Sequence, residues 1–543
     1  MGNYQNVNPL KPEGIEDRKA YFIGGGIGSL AGAAFLIRDG GMPGTNITIY
    51  ESLPVLGGSL DAGGNSEQGY TMRGSRMLTL DIYECTWGLF KSIPSLNDPN
   101  TSVYEETVAF NERVKSNAKA RLIDKNRAVV DSSKLGFSMS DRAELLKLSK
   151  TSEEKLGNSS ISDWLSPSFF ETNFWFMWRT SFAFSPWHSA VEFKRYLHRF
   201  MQEFPNVETM TGVKRTIYNQ YDSMIRPLEV WLESHGVNFK KGCAVTDLDT
   251  EFELDQETGV QKIAVTNLVY ESDGNNETIK IDDGDLVFYQ NGSMTDASSF
   301  GSMTSAPKFF TKEDSQGWTL WGKLAKKHQG FGNPAVFNSS IAESFWESFT
   351  VTLKDTAFFD KMEEFSGNKS GTGSQVTLKD SNWFMSFSLN NQPHYKDQPS
   401  DVQVFFTYGL HPDLVGNFVG KPMTECTGEE ILRELCGHLK FDYDTVFANA
   451  ICIPCRMPYI TSMFMPRSKS DRPLPVPKNS KNLAFISQFV EIPDDVVFTV
   501  EYSVRAAQMA VYELLNIESE IPPITKFNKT LKVEMETVAK ALH

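Results

Sequence analysis

A run of small residues, Gly24-Gly25-Gly26-Ile27-Gly28-Ser29, and an acid at Glu51 are the first groups in this chain whose types and spacing imply chemistry. The run is a G-x-G-x-x-G variant with Ser in the last place. In such loops Gly24 permits a tight turn, Gly26 lets the backbone approach a pyrophosphate, and small Ser29 lets a helix pack closely on a strand. The loop then delivers its amides, with Gly28, to the negative charge of a phosphate. A carboxylate at Glu51 accepts hydrogen bonds from both ribose hydroxyls and repels a 2′-phosphate. FAD and NAD both satisfy this motif; NADP does not. Two later features favour FAD: a second glycine turn, Gly57-Gly58-Ser59, soon after Glu51, and a late strand, 482–487, leading to Thr499-Val500-Glu501-Tyr502-Ser503 at the start of a helix. Cys452 and Cys455 form a C-x-x-C without a second pair, which reads as two buried thiols beside a Pro rather than a zinc or redox site.

The elements that position these groups follow from periodicity. Residues 19–23 read as a strand, 24–28 as a glycine loop, 29–38 as a helix and 46–50 as a second strand, a β-α-β unit at the start of the chain. Residues 141–156 read as one amphipathic helix. Residues 164–200 are rich in aromatics at helical spacing, a stripe expected to be core in part and to line an apolar tunnel in part. Strand patterns return at 242–247, 263–270 and 285–289. The polar stretch 366–374 reads as an exposed loop, and 499–515 as a helix.

Composition excludes several classes of function. A net charge of −15 argues against general nucleic-acid binding. No apolar run reaches the roughly 20 residues of a transmembrane helix. Residues 1–19 are polar and lack the apolar core of a secretion signal, so the cytoplasm is the expected compartment. Six cysteines in 543 residues do not form a disulfide framework.

Longer phrases carry a resemblance. They include Ala34-Phe35-Leu36-Ile37-Arg38-Asp39-Gly40, Gly57-Gly58-Ser59-Leu60-Asp61, Trp187-His188-Ser189-Ala190-Val191-Glu192-Phe193, Asn219-Gln220-Tyr221-Asp222-Ser223-Met224, Asn291-Gly292-Ser293, Met457-Pro458-Tyr459-Ile460-Thr461-Ser462 and Thr499-Val500-Glu501-Tyr502-Ser503. Across about residues 10–520 the chain closely resembles the oleate hydratases, flavin-binding enzymes of the myosin-cross-reactive-antigen family. The resemblance implies an α/β fold: an FAD-binding Rossmann-like flavoprotein domain (1–90, 206–300 and a closing 476–520), a helical aromatic-rich cap (91–205), a mixed-sheet substrate domain (301–475) and a mixed tail (521–543).

The resemblance also implies a reaction: hydration of a cis double bond in a free unsaturated fatty acid of the oleate or linoleate class, with FAD required but no net electron transfer. It assigns the proton donor to Tyr196. It implies cofactor contacts from Gly24, Gly26, Gly28, Ser29, Glu51, Gly58, Ser59, Arg76, Met77, Val245, Ser293, Thr499 and Ser503, and substrate contacts from Trp187, His188 and Thr461. Arg467 and Lys469 are candidates for the substrate carboxylate by composition. No metal is implied.

Two departures matter. The family's commoner pattern, Arg-Gly-Gly-Arg-Glu-Met, holds a Glu that acts on water; here the segment is Arg73-Gly74-Ser75-Arg76-Met77-Leu78, and Met77 stands at that Glu. Either Asp81 or Glu84 takes the role, or backbone and flavin position the water, or the rate is low and the substrate different; Glu84 matches an accompanying acid and is expected to be structural. The tail is also shorter than the amphipathic extension that longer members use at membranes, which leaves transient membrane-surface contact, and the choice of monomer or homodimer, open. Two other functions remain at this point: a redox flavoenzyme of desaturase or isomerase type, and a fatty-acid-binding flavoprotein with a degenerate site.

Overall fold

The computed structural model describes residues 11–254, 259–373 and 375–542. Residues 1–10, 255–258, 374 and 543 lie outside the described residues, the first and third of these within the N-terminal and 366–374 stretches read from sequence.

The first sheet is parallel throughout, with strands in the spatial order Leu483–Phe485, Leu286–Tyr289, Ala20–Ile23, Ile47–Glu51 and Asn238–Lys241. Its central strands, AYFI and LVFY, are buried at every position, as expected for strands covered on both faces. Helix Ile27–Arg38 crosses from the first strand to the second. It packs tightly because Gly32 has no side chain: a Cβ there would lie 2.6 Å from the Phe22 ring. The late helix Val500–Leu514 lies along the same helix, and Ala507 is its near neighbour at Gly32. The β-α-β unit and the closing strand and helix therefore stand where periodicity placed them, within a residue or two at each end.

The second sheet has seven strands in the order Ser299–Phe300, Ala450–Met457, Trp346–Leu353, Gln403–Gly409, Met385–Ser388, Val376–Leu378 and Leu122–Ile123. All its pairings are antiparallel except the last. Strand Trp346–Leu353 is buried throughout. Phe349, Val351 and Leu353 point into a second apolar core with helix Gly428–Leu439. The alternate face carries Thr350 and Thr352, whose hydroxyls accept from the amides of Met72 (3.3 Å) and Tyr70 (2.9 Å) on the hairpin Ala62–Asn65/Gly69–Met72. This polar face joins the two halves of the molecule beside the segment 73–79.

Several local expectations need correction. The stretch 141–156 is two helices, Met139–Lys150 and Glu153–Leu156, because Thr151 is extended and Ser152 caps the second one through Lys155 N–H. The aromatic stretch 164–200 is likewise interrupted. Helices Asn173–Phe182 and Ala190–Arg199 are separated at Ala183, which takes a left-handed conformation (φ 61°), and each starts at a hydroxyl cap, Thr172 or Ser189. The loop after Ser366 is not an exposed tip: Asn368 is 2 % exposed and its carboxamide bonds Lys119 N–H (2.6 Å) and Ala120 C=O (2.9 Å). The tail forms a helix, Leu531–Leu542, held by Arg142 to Ala541 C=O and by a Lys540–Glu208 ion pair.

Candidate active site

A cavity of about 570 Å³ opens at the carboxyl ends of the parallel strands. Gly24, Gly26, Glu51, Gly58, Ser59, Arg76, Val245, Ser293, Thr499 and Ser503 all line it. Gly24 has φ 89°, a conformation that favours glycine. Gly28 and Ser29 lie just behind the wall. A Cβ on Gly28 would run into Ile486 C=O, so that glycine lets the helix pass the closing strand. The Glu51 carboxylate accepts from Gly25 N–H (2.7 Å), Leu53 N–H (2.8 Å) and Ser52 Oγ (3.2 Å). It thus fastens the glycine loop to the end of its strand, and the remaining lone pair on Oε2 is open to a ligand.

Two contributors were not named from sequence. Gln290 follows the central strand, and its Oε1 accepts from Gly26 N–H (2.9 Å) and Ser29 Oγ (3.2 Å), taking up a loop amide suited to a phosphate oxygen. A Cβ at Gly26 would lie 2.8 Å from that oxygen, so the cradle has room only for backbone. Asp296 lines the same cavity; burial pushes its carboxyl up to about 6.

The segment 73–79 forms the far wall. Arg73 pairs with Asp61 (2.7 Å) and donates to Gly58 C=O (2.8 Å), which locks the second glycine turn. Arg76 is different. Its guanidinium is buried, lies 5.4 Å from the Phe498 ring, and contacts Met294 Sδ at 3.2 Å. Among the described residues it has no ion-pair partner, and burial draws its pKa down to about 10. Gly74 allows this placement, since a Cβ there would fall on the guanidinium. Phe498 itself is held at φ 71°, a strain of the kind that persists where surroundings enforce it.

A second, narrower cavity of about 110 Å³ meets the first at Arg76, Phe498 and Thr499, which line both. Its walls are mostly apolar: Leu78, Trp178, Phe182, Phe200, Trp346 and Phe406 among them. Part of the aromatic stretch therefore lines a channel, while Phe169, Phe174, Trp175 and Phe193 are core. Tyr196 and Met77 both face this second cavity. The Tyr196 ring is 1 % exposed, with Phe182 and Phe200 centroids at 5.0 and 5.5 Å, and its hydroxyl donates to Val497 C=O. Burial pushes its pKa well above the ordinary phenol value, so it holds its proton throughout the physiological range.

The other candidates lie elsewhere. Asp81 is exposed and lines neither cavity. Glu84 is structural. Burial works to raise its pKa, but Arg199 (2.7 Å) and Arg505 (3.0 Å) outweigh that and bring it down to about 2. Trp187, His188 and Thr461 line neither cavity. Trp187 Nε1 donates to Glu343 C=O and Thr461 Oγ1 to Ser344 C=O, both on the short helix Ile341–Ser344 that leads into strand Trp346–Leu353. His188 Nδ1 accepts from Ser185 N–H, and burial lowers its pKa to about 3, so it is a neutral bracket for the turn. Arg467 is spent on Glu192 (3.0 Å) and Glu491 (2.7 Å), and Lys469 is exposed. Cys452 and Cys455 are buried free thiols three places apart on one strand, hence on opposite faces. Among the described residues no cluster of His, Cys, Asp or Glu is arranged for a metal ion.

The model of the MCRA family matches residues 17–512. The chain belongs to the MCRA family. It is 40 % identical over 536 residues to an oleate hydratase of Streptococcus pyogenes serotype M49 (strain NZ131), covering 96 % of this chain and 89 % of that one. It is 34 % identical over 565 residues to a linoleate hydratase of Lactiplantibacillus plantarum, covering 94 % and 97 %. Solved structures are more remote. Cyclohexylamine oxidase from Brevibacterium oxydans IH-35A aligns with a TM-score of 0.49 at 10 % identity, covering 92 % and 99 %. An oxidoreductase from Methanosarcina mazei gives 0.49 at 12 %, covering 91 % and 100 %. Neither likeness adds to the account of the site.

In this MCRA chain the site thus brings together a glycine cradle, a buried cation without an ion-pair partner among the described residues, a strained aromatic and a buried phenol. Of these, Phe498 had only its place beside Thr499 to mark it. Gln290 had a clearer signal, since ligands of parallel sheets bind beyond the carboxyl ends of central strands.

Proposed function

We propose that the protein is a hydro-lyase that adds water to the cis double bond of unsaturated free fatty acids, as in the conversion of oleate to 10-hydroxystearate, with FAD in a non-redox role. Membership of the MCRA family and the hydratases among its relatives support this reading. One observation carries it: a buried phenol faces an apolar cavity that adjoins a dinucleotide-sized one, and Arg76, Phe498 and Thr499 form the shared wall.

The residues present fit FAD. The Gly25 and Gly26 amides are held by Glu51 and Gln290, so the helix start at Ile27 and Ser59 suit the pyrophosphate, Glu51 the ribose, and Arg76, Val245, Ser293, Thr499 and Ser503 the remainder. Bound there, FAD supplies a polar, polarisable surface at the junction. The chain's own residues do the rest. The aromatic wall exclude bulk water from the acyl chain and offers π-faces to the carbocation that develops on protonation. Tyr196 supplies the proton when its hydroxyl turns from Val497 C=O toward the alkene; it is a weak acid, so the transfer depends on a dry, preorganised pocket. Met77 cannot accept a proton from water.

We further assign the exposed stripe Leu531, Met535, Val538 and Leu542 on helix Leu531–Leu542 to transient contact with a membrane surface, where free fatty acids reside. No helix among the described residues is long and apolar enough to cross a membrane; we place the enzyme in the cytoplasm, peripheral to the bilayer.

The test is incubation of purified protein with FAD and oleate, without oxygen, in ¹⁸O-labelled water. A hydroxy fatty acid carrying the label is expected. Product that forms only with an electron acceptor, or none at all, would overturn the hydratase reading.

A further inference from the structure

If Met77 occupies the place of a water-activating acid, the second cavity needs another group to take the proton of the incoming water. Of the residues that line it, Glu203 is the one Asp or Glu. It sits on the short 3-10 helix Met201–Asn206, directly after the helix that carries Tyr196. Its carboxylate rests against Gly212: a Cβ at that position would occupy the space of both carboxylate oxygens. Gly212 thus makes the niche that turns Glu203 toward the cavity.

Other acids of the helical layer and the closing segment are engaged. Glu84 is held by Arg199 and Arg505, Glu192 by Arg467 and Arg472, and Glu491 by Arg195 and Arg467. Among the described residues no hydrogen bond or ion pair holds the Glu203 carboxylate. Glu203 is half-buried, and a carboxyl that loses part of its hydration without gaining a partner is disfavoured in its charged form.

We propose that Glu203 is the general base of the hydration, taking the proton that the acid missing at Met77 would have taken. This rests on the hydratase reading above. Water oxygen forms the new C–O bond as its O–H bond breaks, and that proton passes to the Glu203 carboxylate. The Tyr196 hydroxyl proton forms the new C–H bond at the other alkene carbon. The proton on Glu203 then returns to the phenolate through water. One water is consumed per double bond, and nothing is oxidised or reduced.

The electrostatics suit that role. Burial, with the charge of Asp81, raises the Glu203 carboxyl to about 7, and Lys214 opposes the rise. Arg76, Tyr83, Tyr196 and Tyr408 are the other titratable groups on the cavity wall. A base poised near neutrality balances availability against strength. Because the base must be ionised, kcat should climb as pH rises through about 7.

The experiment compares wild type, Glu203→Gln and Glu203→Asp by ¹⁸O incorporation into oleate across pH 5–9, with FAD and oleate binding measured beside it. General-base removal costs about 10²–10⁴-fold. Glu203→Gln should therefore lose at least ~100-fold in kcat and the limb near neutrality, while binding both ligands. Glu203→Asp should keep a limb at a shifted pH. Activity of Glu203→Gln within about threefold of wild type, well short of that loss, overturns the assignment and leaves the hydratase reading standing. If Glu203→Gln does not fold, an unmoved limb in Glu203→Asp, or a wild-type profile flat across neutrality, overturns it equally. Wild-type protein that incorporates no label removes the hydratase reading, and this one with it.

Discussion

Replacing Arg76 by Met should make the flavin-free protein more stable and the flavin-bound protein weaker. The structure gives the size of the first effect. Burial draws the guanidinium from 12.5 to about 10, which at about 1.4 kcal/mol per pH unit corresponds to a penalty of about 3 kcal/mol. The folded value is the lower one. At neutral pH the group is charged both folded and unfolded, so the whole penalty is present, and it is relieved only as pH rises through about 10. Methionine keeps most of the stem and drops the charge. It forfeits the contact with the Phe498 ring, worth about 1 kcal/mol, so a net gain of about 1–2 kcal/mol is expected. The second effect follows from the same fact. A buried cation without a carboxylate stabilises an anionic or carbonyl-bearing ligand, so FAD should bind at least ~10-fold more weakly, about 1.4 kcal/mol. Urea unfolding of the two flavin-free proteins and fluorescence titration with FAD read both quantities. A variant that is less stable by more than about 1 kcal/mol and binds FAD as tightly as wild type would refute the reasoning, because Arg76 would then be an ordinary packed side chain.

Four further outcomes are expected. Tyr196→Phe should abolish turnover while flavin absorbance shows FAD still bound; near-normal product formation would remove the phenol from the mechanism. Asn368→Ala should lower stability by about 1–3 kcal/mol, since it leaves buried backbone groups at Lys119 and Ala120 without partners; an unchanged melting temperature would contradict this. Glu84 contributes stability that is present above its ordinary value near 4.5 and is lost as pH falls toward about 2, so acid unfolding followed by circular dichroism should show a loss in that window that Glu84→Gln lacks. Changing Leu531, Met535, Val538 and Leu542 together to Ser should abolish sedimentation with anionic vesicles and leave turnover of dispersed oleate intact; unchanged sedimentation would place membrane contact elsewhere.

How much of this was legible in the sequence depends on the distance over which each feature is determined. The glycine loop, its flanking strand and helix, and Glu51 are local: turn chemistry, small-residue packing and the acid at a strand end lie within one β-α-β unit. The boundaries that failed also have local causes, but ones that compete with periodicity. Ser152 and Ser189 offer hydroxyls to backbone amides and so end one helical pattern by starting another. The second sheet was harder, because Trp346–Leu353 alternates between an apolar core and a Thr-lined seam, and neither face is exposed. No period separates buried polar from buried apolar in such a strand.

Phrases that carry a family resemblance can mark the fold as readily as the chemistry. Trp187, His188 and Thr461 lie in such phrases, yet their polar atoms close turns and hold the short helix Ile341–Ser344 outside both cavities. Glu203 shows the converse. Its niche is made by Gly212, and its charge is set by burial with Asp81 and Lys214, three positions on other segments of the chain. Gly212 and Lys214 follow closely in sequence, but nothing in their types shows that the chain folds back to set them and the distant Asp81 around this carboxylate. The chemistry of a carboxylate depends on what surrounds it in space, so a lost acid at position 77 can be made good from a place that no alignment of the 73–78 motif would reveal. Loss of a motif residue is therefore weak ground for inferring loss of activity until the remaining wall of the cavity has been searched for a group with the same protonation equilibrium.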